Sequence, residues 1–512
     1  MTADPQLDTL EAKGLIRLAA YRPELEYLFR HGLVQDAAYG SLLKQERRDL
    51  HRRVGEALEE LYPERRAELA AVLAMHFEQA GDTERALAYL QEAGRYALER
   101  NAYHEAFSAY DRAAALLPAT DGAAEATETA AARRRSVEIG LGRTRASWSF
   151  RPGDEVEADL AALVPDAEAT GDPELIAEVH LFLALTRLQL GMRPSTTAVK
   201  ASLDRITDLA EATNNPRLRA MPLALIGLQR VFTGPIRDGV KALEEAVPLL
   251  ERGADFIGAA FARGALAIGY ANLGEFAKAD AAAANAVELA KSGDLIAQLD
   301  AEIAASWVSA TEGRLERAAP LALDCVGRAE ASGATACVMA SSWILGDVYH
   351  RQGRFDEARD ILQRGSDIAL VVDRRGWRPT LQAWLGSALA ATGAGADDDW
   401  DDNLATVRGQ GNRVGEANIL AKRGEARLRS GDAAGALADL EPASETMAAE
   451  GARPSLARLL PGLAEAYRGV GRTDEATTAL TRSLALFEEL GLEAEAQAVR
   501  LTLAVPRLQL GA

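Results

Sequence analysis

The chain has very little of several features that mark enzymes, secreted proteins and membrane proteins. Its 512 residues include two cysteines, Cys325 and Cys337, which are too few for a disulfide framework and lack the spacing of a metal site. No Gly-Lys dipeptide occurs, so the phosphate-binding loop of an ATPase is absent. No stretch approaches about 18 uninterrupted apolar residues, and the N-terminus lacks a basic patch followed by an apolar run. These absences predict a cytoplasmic protein without a membrane span.

Positive charge and histidine are also scarce. The chain has 57 Lys and Arg against 76 Asp and Glu, a net charge of −19. A negative surface disfavours nucleic acid and anionic lipid as general partners, because phosphate groups bind to positive surfaces. The 6 histidines never lie three or four positions apart, so no two of them share one helix face in the way a metal site needs. We therefore expect no metal and no cofactor.

What the chain has in abundance is regularly spaced glycine. Eight glycines follow one another at intervals of 38 to 43 residues, and Gly81 opens a similar unit upstream. A fixed period of this size is the signature of a solenoid, in which each repeat contacts its neighbours. Together with Gly81, these turn glycines are Gly191, Gly234, Gly274, Gly313, Gly353, Gly393, Gly431 and Gly471.

Each turn glycine is surrounded by a recurring pattern. The residue seven positions before it is Gly, Ala or Ser in all nine units, and Ala stands five positions after it in six of them. Several units place an aromatic four positions before it, such as Tyr270, Tyr349 and Tyr467. A small residue lets two helix axes approach, and glycine closes a helix in a left-handed turn that other residues enter at a cost. The pattern predicts two helices per repeat, with the turn glycine ending the first.

Two segments show the pattern most clearly. Residues 464–484 read AEAYRGVGRTDEATTALTRSL, and residues 346–365 read GDVYHRQGRFDEARDILQRG. They resemble the tetratricopeptide repeat (TPR) family, and the resemblance covers roughly residues 66 to 500. It implies an all-α, right-handed solenoid of antiparallel helix pairs that binds a protein or peptide on its concave surface. The period of about 40 residues exceeds the family's usual 34, and this longer form is common in the sensor arms of large bacterial signalling ATPases.

The first 60 residues do not share the repeat. Residues 7–18 read as a short helix running into a strand, 21–24 as a turn and 25–29 as a returning strand. One interpretation of these elements is a small winged-helix remnant. Residues 29–59 then read as two amphipathic helices. Ten residues of this segment match a known family: Phe29, His31, Leu33, Ala38, Tyr39, Leu42, Leu43, Arg48, Leu50 and His51. This segment resembles the junction in bacterial multidomain proteins that join a class III adenylate/guanylate cyclase or kinase module to a STAND-type ATPase and then to TPRs.

Four segments are therefore expected along the chain: a winged-helix or β-hairpin remnant at 1–30, connecting helices at 31–65, a TPR-like superhelix at 66–500 and a tail at 501–512. The resemblance implies the regulatory arm of a signalling ATPase or cyclase, contacted through the N-terminal segment. We expect a non-enzymatic scaffold or sensor that binds a protein or peptide. The alternatives are a transcription regulator acting through DNA and a regulatory fragment with no independent activity.

Two charged segments allow more than one interpretation. A basic stripe on the second predicted helix could dock an ATPase domain or a nucleotide phosphate, although an exposed helix face has the same pattern. The acidic run at 397–402 lacks the ligand spacing, central glycine and final glutamate of a calcium loop, so it predicts a solvated loop before a helix start. The basic stripe consists of Lys44, Arg47, Arg48, Arg52 and Arg53.

The concave surface of the predicted solenoid is the expected place for a binding site. In the TPR family the first helix of each repeat lines that surface, which implies that residues two, three and six positions before each turn glycine face inward. Around residues 303–351 this places Trp307, and Trp343 one turn earlier on its helix, beside Asp, His and Arg. The mixture is suited to holding a peptide by aromatic anchors and charge-assisted hydrogen bonds. Alternatively, the tryptophans only fill gaps between repeats. The candidate peptide-binding residues are Asn272, Trp307, Trp343, Asp347, His350 and Arg351. Further inward positions are Thr311, Glu425, Arg429, Glu465 and Arg468.

Overall fold

The computed structural model describes residues 5–20, 26–117, 130–393 and 399–504. These residues are almost entirely helical, and the strands among them form one two-stranded sheet. They divide into two compact units, Met1–Ala97 with Ser108–Ala119, and Leu98–Phe107 with Thr120–Ala512. The predicted turn at 21–24, residues 397–398 of the acidic run and residues 505–512 of the predicted tail lie outside the described residues.

The first unit opens with the predicted helix and hairpin. Strand β1 (Ile16–Ala20) pairs antiparallel with β2 (Glu26–Phe29), and Ile16 lies opposite Phe29. Helix α1 (Pro5–Ala12) precedes the hairpin. The elements after it are α2 (Gly32–Gly40), α3 (Lys44–Leu61), a 3-10 turn (Pro63–Arg65), α4 (Arg66–Ala80) and α5 (Thr83–Glu99). Helix α6 (Tyr103–Leu116) follows, and the division between the units falls within it, before Ser108.

The second unit is a succession of antiparallel helix pairs followed by one last helix. Each helix packs against the next along the chain. The helices are α7 (Ala130–Ser147), α8 (Gly153–Thr170), α9 (Pro173–Gln189), α10 (Thr197–Thr213), α11 (Pro216–Thr233), α12 (Ile236–Arg252), α13 (Phe256–Leu273), α14 (Phe276–Ala290), α15 (Leu295–Thr311), α16 (Leu315–Ser332), α17 (Thr335–Arg351), α18 (Phe355–Val371), α19 (Arg378–Thr392), α20 (Trp400–Gln410), α21 (Arg413–Arg429), α22 (Ala433–Glu450), α23 (Arg453–Gly469), α24 (Thr473–Leu490) and α25 (Glu493–Ala504).

The turn glycines have the role that their period predicts. All nine have a φ between +74° and +86°, in the left-handed region that favours glycine. The first helix of each pair ends at the turn glycine or within two residues before it; α13, for example, ends at Leu273, directly before Gly274. The predicted arrangement of two helices per 40-residue repeat is confirmed.

Most of the described turns between one helix pair and the next also enter the left-handed region, which the sequence pattern did not predict; the turn between α14 and α15 does not. Five of these turns use glycine, with φ between +67° and +74°: Gly171, Gly333, Gly411, Gly451 and Gly491. Four others use Asn101, Asn214, Ala254 and Asp373, with φ of +61°, +50°, +54° and +49°. Because other residue types interrupt this second glycine series, its period is hidden in the sequence.

The small residues seven positions before the turn glycines lie where paired helices approach most closely. A Cβ atom on Gly346 would be 2.4 Å from Cγ of Leu362, and one on Gly424 would be 2.6 Å from Cγ of Leu440. Such separations leave no room for a side chain. The prediction that these positions must be small is confirmed.

Repeats that are far apart in sequence also touch within the second unit. Arg458 Nη2 donates a 2.7 Å hydrogen bond to the carbonyl of Thr311, 147 residues earlier. Arg193 Nε donates a 2.6 Å hydrogen bond to the carbonyl of Gly409, 216 residues later. The solenoid therefore winds back on itself, and one superhelical turn is bonded to the next.

One helix among the described residues, α13, is long and apolar enough to cross a membrane by length and composition alone. Sixty-one per cent of it is buried inside the structure. Its alanines and glycines pack against neighbouring helices of the solenoid, with Ala259, Ala262, Ala267 and Ala271 having no exposed surface. This is the environment of a core helix, and it gives little support to a membrane span.

Candidate functional site

Five aromatic rings form one cluster inside the second unit. The ring of Trp343 lies at its centre, 4.6 Å from Trp307, 5.5 Å from Trp384 and 6.3 Å from Trp377, measured between ring centroids. Phe232 meets Trp307 edge to face at 5.9 Å. Aromatic contacts in this range add stability beyond the burial of their area. The cluster joins helices α11, α15, α17 and α19, so four helix pairs share one aromatic wall.

The indole N–H groups of Trp307, Trp343 and Trp384 differ in whether they have a hydrogen-bond acceptor. Trp307 donates to Oδ1 of Asn272 at 2.9 Å, and Asn272 in turn donates to the carbonyl of Val231 at 3.1 Å. Trp384 donates to the carboxylate of Asp347 at 2.9 Å. The buried N–H of Trp343 has no hydrogen-bond partner among the described residues.

The aromatic wall borders a pocket of about 400 Å³. Apolar side chains and charged side chains from opposite sides of the solenoid line it together. The aromatic and polar lining residues are Phe232, Asn272, Trp307, Thr311, Trp343, Asp347, His350, Arg351, Trp384, Asn418, Lys422, Glu425, Thr446, Glu450, Ser455, Arg458 and Glu495. Val231, Ile236, Ile344, Val414, Met447 and Leu459 are among the aliphatic residues between them.

Two arginines and two carboxylates meet on one side of the pocket. Arg351 lies 3.6 Å from Asp347 and 3.5 Å from Glu495, and Arg458 lies 3.1 Å from Glu495. Arg351 also donates to the carbonyl of Ala310 at 2.5 Å. Both guanidiniums are thus fixed to the C-terminal end of α15, where free carbonyl groups give a helix its negative pole.

A second polar group is centred on Ser387. Its hydroxyl lies 3.0 Å from Nε2 of His350 and 3.2 Å from the carboxylate of Glu425. Lys422 holds Glu425 at 3.1 Å, and its ammonium lies 5.1 Å from the ring centre of Trp384, where a cation is attracted to the indole face. The group links three consecutive first helices, α17, α19 and α21.

Burial and neighbouring charge set the protonation of these groups. Burial, followed by the charge of Lys422, lowers the pKa of His350 to about 4, so this ring is neutral at physiological pH. Burial acts to raise the pKa of Asp347, but Arg351 and Lys422 outweigh it, and the pKa lies below its ordinary value. Asp347 therefore remains charged beside a neutral histidine.

All six candidate residues from the sequence line this one pocket. Asn272 comes from α13, Trp307 from α15, and the other four from α17. Of the further inward positions, Thr311 and Glu425 also line the pocket. Arg429 reaches the hydroxyl of Ser387 at 3.4 Å, whereas Glu465 and Arg468 are not part of the lining. The geometry brings the candidate residues together; their role in peptide binding stays a prediction.

Sequence reasoning missed other parts of the pocket. Phe232 stands two positions before a turn glycine, so the rule for inward positions already includes it. Trp384 and Lys422 both stand nine positions before a turn glycine, one helical turn ahead of the inward position at six. The opposite wall, with Arg458 and Glu495, exists because the solenoid closes on itself, and no local pattern indicates this.

The remaining sequence candidates lie elsewhere. Cys325 and Cys337 are buried and unpaired, as packing residues are. In the first unit, His51 and His76 from different helices approach to 2.9 Å between their Nδ1 atoms. No group of three or more metal-binding side chains occurs in the part of the chain that the structure describes. Within the acidic run, α20 begins at Trp400, and the ring of this tryptophan packs beside Gly386.

Solved structures provide the comparison that decides the fold. The crystal structure of a Rap protein complexed with competence and sporulation factor matches with a TM-score of 0.52 at 15% identity, over 70% of this chain and 99% of that chain. The chain folds as a TPR-like superhelix. No protein-family model matches the chain, and no curated protein matches it.

Two further solved structures match with lower TM-scores. One is the Rap conjugation gene regulator of the plasmid pLS20 in complex with the Phr* peptide, at a TM-score of 0.46 and 13% identity, over 67% of this chain and 95% of that one. The other is a signal transduction ATPase with numerous domains (STAND) protein with a TPR sensor from Pyrococcus horikoshii, at 0.36 and 13%, over 97% and 61%. Identities this low do not show a shared function.

Proposed function

We propose that the second unit binds a peptide segment in its central pocket and serves as a non-enzymatic sensor or scaffold. The observation that carries this proposal is the continuous aromatic wall of Phe232, Trp307 and Trp343 beside fixed charged groups in one cavity of about 400 Å³. That volume lies in the range of ligand pockets, about 300 to 1,000 Å³. Aromatic anchors supply most binding energy in such sites, and charged groups fix orientation.

The Rap structure supports this proposal. It shares the superhelical fold with this chain, and it is complexed with competence and sporulation factor. In our chain, the pocket lies among helices α11 to α25.

A hydrolytic role for the pocket is less favoured by its geometry. The hydrogen bond between Ser387 and His350 resembles a nucleophile paired with a base. However, Ser387 has no exposed surface, so a substrate has no access to its hydroxyl. The pair instead joins neighbouring helices, and we assign it to holding the pocket wall in place.

We further propose that the first unit connects this sensor to a signalling ATPase or cyclase domain. The support is the resemblance of residues 29–59 to the junction in such proteins. Four side chains of the basic stripe, Lys44, Arg48, Arg52 and Arg53, are exposed on α3 and could contact a partner domain. Arg47 instead lies half-buried against the ring of Tyr39, at 5.3 Å.

Peptide selection followed by calorimetry tests the binding proposal. Purified chain would be used to select binders from a library of random short peptides, and their affinities would be measured against Trp307→Ala. This variant should weaken binding by about 2 kcal/mol or more. Trp307 is preferable to Trp343, because Trp343 is only 7% exposed and its removal would also disturb the core.

Tyr467→Ala is the matched control. Tyr467 is a half-buried aromatic of the same solenoid, it bonds to Glu441 at 2.8 Å, and it is not part of the pocket lining. Circular dichroism and thermal melts would establish that both variants are folded. If the two variants bind selected peptides equally well, the pocket is not the binding site.

A further inference from the structure

The two pocket arginines share one nearby carboxylate on α25, the last of the described helices. Arg351 on α17 and Arg458 on α23 both approach Oε1 of Glu495 on α25, at 3.5 and 3.1 Å. The 3.5 Å contact, like the 3.6 Å contact of Arg351 with Asp347, is longer than a normal hydrogen bond. Glu495 is therefore the carboxylate that bridges both guanidiniums, and it is hydrogen-bonded to one of them.

The guanidiniums have more donors than the structure uses. Each offers five N–H groups in a planar fork. The hydrogen bonds of the described residues use one from Arg351, to the carbonyl of Ala310, and two from Arg458, to Thr311 and Glu495. The Nε of Arg458 is buried without a partner. This side of the pocket therefore has guanidinium N–H groups that lack an acceptor, and the Nε of Arg458 is one of them.

Burial makes an N–H group without an acceptor costly. Arg458 is desolvated and lies near the charge of Arg351, and the two effects lower its pKa to about 10. A cation in this environment is stabilised by any anion that replaces the lost water. Planar guanidiniums bind carboxylates best, through paired hydrogen bonds.

Glu495 reaches this place because of a turn glycine. A Cβ atom on Gly313 would lie 3.0 Å from Oε1 of Glu495, so the carboxylate lies close against this glycine and a larger residue there would crowd it. Glu495 lies in the first turn of α25, the last helix that the structure describes. The carboxylate thus enters the pocket from α25, as an acceptor that the protein itself supplies.

We propose that Arg351 and Arg458 form an anion subsite that takes a carboxylate of the bound peptide, and that Glu495 occupies this subsite when no peptide is bound. The inference rests on the proposed function and adds the ligand's chemical class: a peptide with an apolar or aromatic anchor and a carboxylate. The carboxylate is either the C-terminal α-carboxylate or an acidic side chain. Glu495 is then a resident competitor, and removing it should strengthen peptide binding.

Propionate is a probe for the subsite that needs no knowledge of the peptide. Sodium propionate would be titrated against Glu495→Ala at constant ionic strength, with sodium chloride and propionamide as references, and the melting temperature recorded. Propionate should raise the Tm of Glu495→Ala by about 2 °C or more above the references, because it binds only the folded site. Wild type should respond less, since its subsite is filled.

Glu493→Ala is the matched control on the same helix. Glu493 pairs with Arg500 at the surface, away from the pocket, so its removal should give no specific response to propionate. Adding Arg458→Met to Glu495→Ala should abolish the response. Equal responses of Glu495→Ala and Glu493→Ala would overturn the subsite. If Glu495→Ala does not fold, Glu495→Gln keeps the side-chain volume and the same titration applies to it.

Selected peptides give the second test and identify the source of the carboxylate. Each binder would be compared as the free acid, as the C-terminal amide and with its acidic side chains changed to amides. One of the neutralised forms should bind at least tenfold more weakly, and the free acid should bind more tightly to Glu495→Gln than to wild type. If the neutral peptides bind as well as the free acid while Trp307→Ala still weakens binding, the proposed anion subsite is wrong and the pocket remains the proposed peptide-binding site. If Trp307→Ala also has no effect, the proposed function fails.

Discussion

Gly274 lies against Leu490, the last residue of α24, although the two belong to distant repeats. A Cβ atom on Gly274 would be 2.2 Å from Cδ2 of Leu490. Gly274 also has a φ of +79°. This glycine therefore serves two purposes: it turns the chain between α13 and α14, and it leaves room for a later turn of the solenoid.

We expect Gly274→Ala to destabilise the protein more than Gly353→Ala. Gly353 has a similar φ of +76°, but nothing lies within 4 Å of its missing Cβ. Both substitutions cost about 1 to 2 kcal/mol for a left-handed alanine, and Gly274→Ala adds about 1 kcal/mol or more for overpacking against Leu490. Urea unfolding of the two variants measures the difference. Equal losses would show that the contact between superhelical turns contributes no stability.

A second prediction concerns packing within one helix pair. Gly346→Leu should cost about 1 to 3 kcal/mol, because its side chain would collide with Leu362 on the paired helix. Gln363→Ala is the control: Gln363 is exposed on the same helix as Leu362, and its side chain contacts only Asp367 in the described hydrogen bonds. Thermal melts should show a large loss for the first variant and almost none for the second. Similar melts would contradict the close approach at Gly346.

The two most buried tryptophans of the pocket offer a matched pair of substitutions. Trp343 and Trp384 are each 7% exposed, but only Trp384 uses its N–H, which donates to Asp347. Replacing either by Phe creates a similar loss of volume. Trp384→Phe should cost about 1 to 3 kcal/mol more than Trp343→Phe, because Asp347 then loses a hydrogen-bond donor. Chemical unfolding at pH 7 measures this, and a costlier Trp343→Phe would overturn the assignment.

Acidification should weaken the protein through His350. Its pKa is about 4 in the folded state and ordinarily 6.5, so the unfolded chain binds the proton first. The stability linked to neutral His350 is complete above pH 6.5 and is lost as the pH falls towards 4, by about 3 kcal/mol at most. His350→Gln keeps a hydrogen-bonding group near Ser387 and does not titrate. The variant's free energy of unfolding should therefore fall less than the wild type's between pH 7 and pH 4.5; parallel curves would contradict this.

The purified chain should not bind or hydrolyse ATP. The sequence has no Gly-Lys pair and therefore no phosphate-binding loop, whose backbone N–H groups and lysine hold the phosphates. Titration with a fluorescent ATP analogue checks this prediction. Saturable binding of the analogue at micromolar concentrations would contradict the prediction and favour an enzymatic role.

The repeat architecture was predictable because it depends on local sequence. A left-handed turn such as that at Gly274 requires glycine, and a close helix contact such as that at Gly346 requires a small residue; both requirements recur at every repeat. The second series of turns was not predictable in this way, because Asn214, Ala254 and Asp373 adopt the left-handed conformation without being glycine. In those turns the packing of the flanking helices overrides the preference of the single residue.

One wall of the candidate site was predictable from local sequence, and the opposite wall was not. Trp307, Asp347 and Arg351 follow from their spacing to turn glycines, which sets the inward face of each first helix. Arg458 and Glu495 come from repeats that meet this face only after the solenoid has wound round. Their placement depends on the small rotation between each repeat and the next, added over several repeats. No short stretch of sequence indicates that total rotation.

The hydrogen bond from Arg458 to Thr311 also bears on how the chain reaches its folded state. An open solenoid can fold by adding one repeat to the next, and shortening it removes only the stability of the repeats that are lost. Here α23 is bonded to α15, several repeats earlier, so deleting α23 to α25 should loosen α15 as well. Contacts between residues so far apart raise the contact order, and folding slows as the contact order rises. We therefore expect folding to end with a slow, concerted step, in which the distant repeats come into contact and the pocket forms.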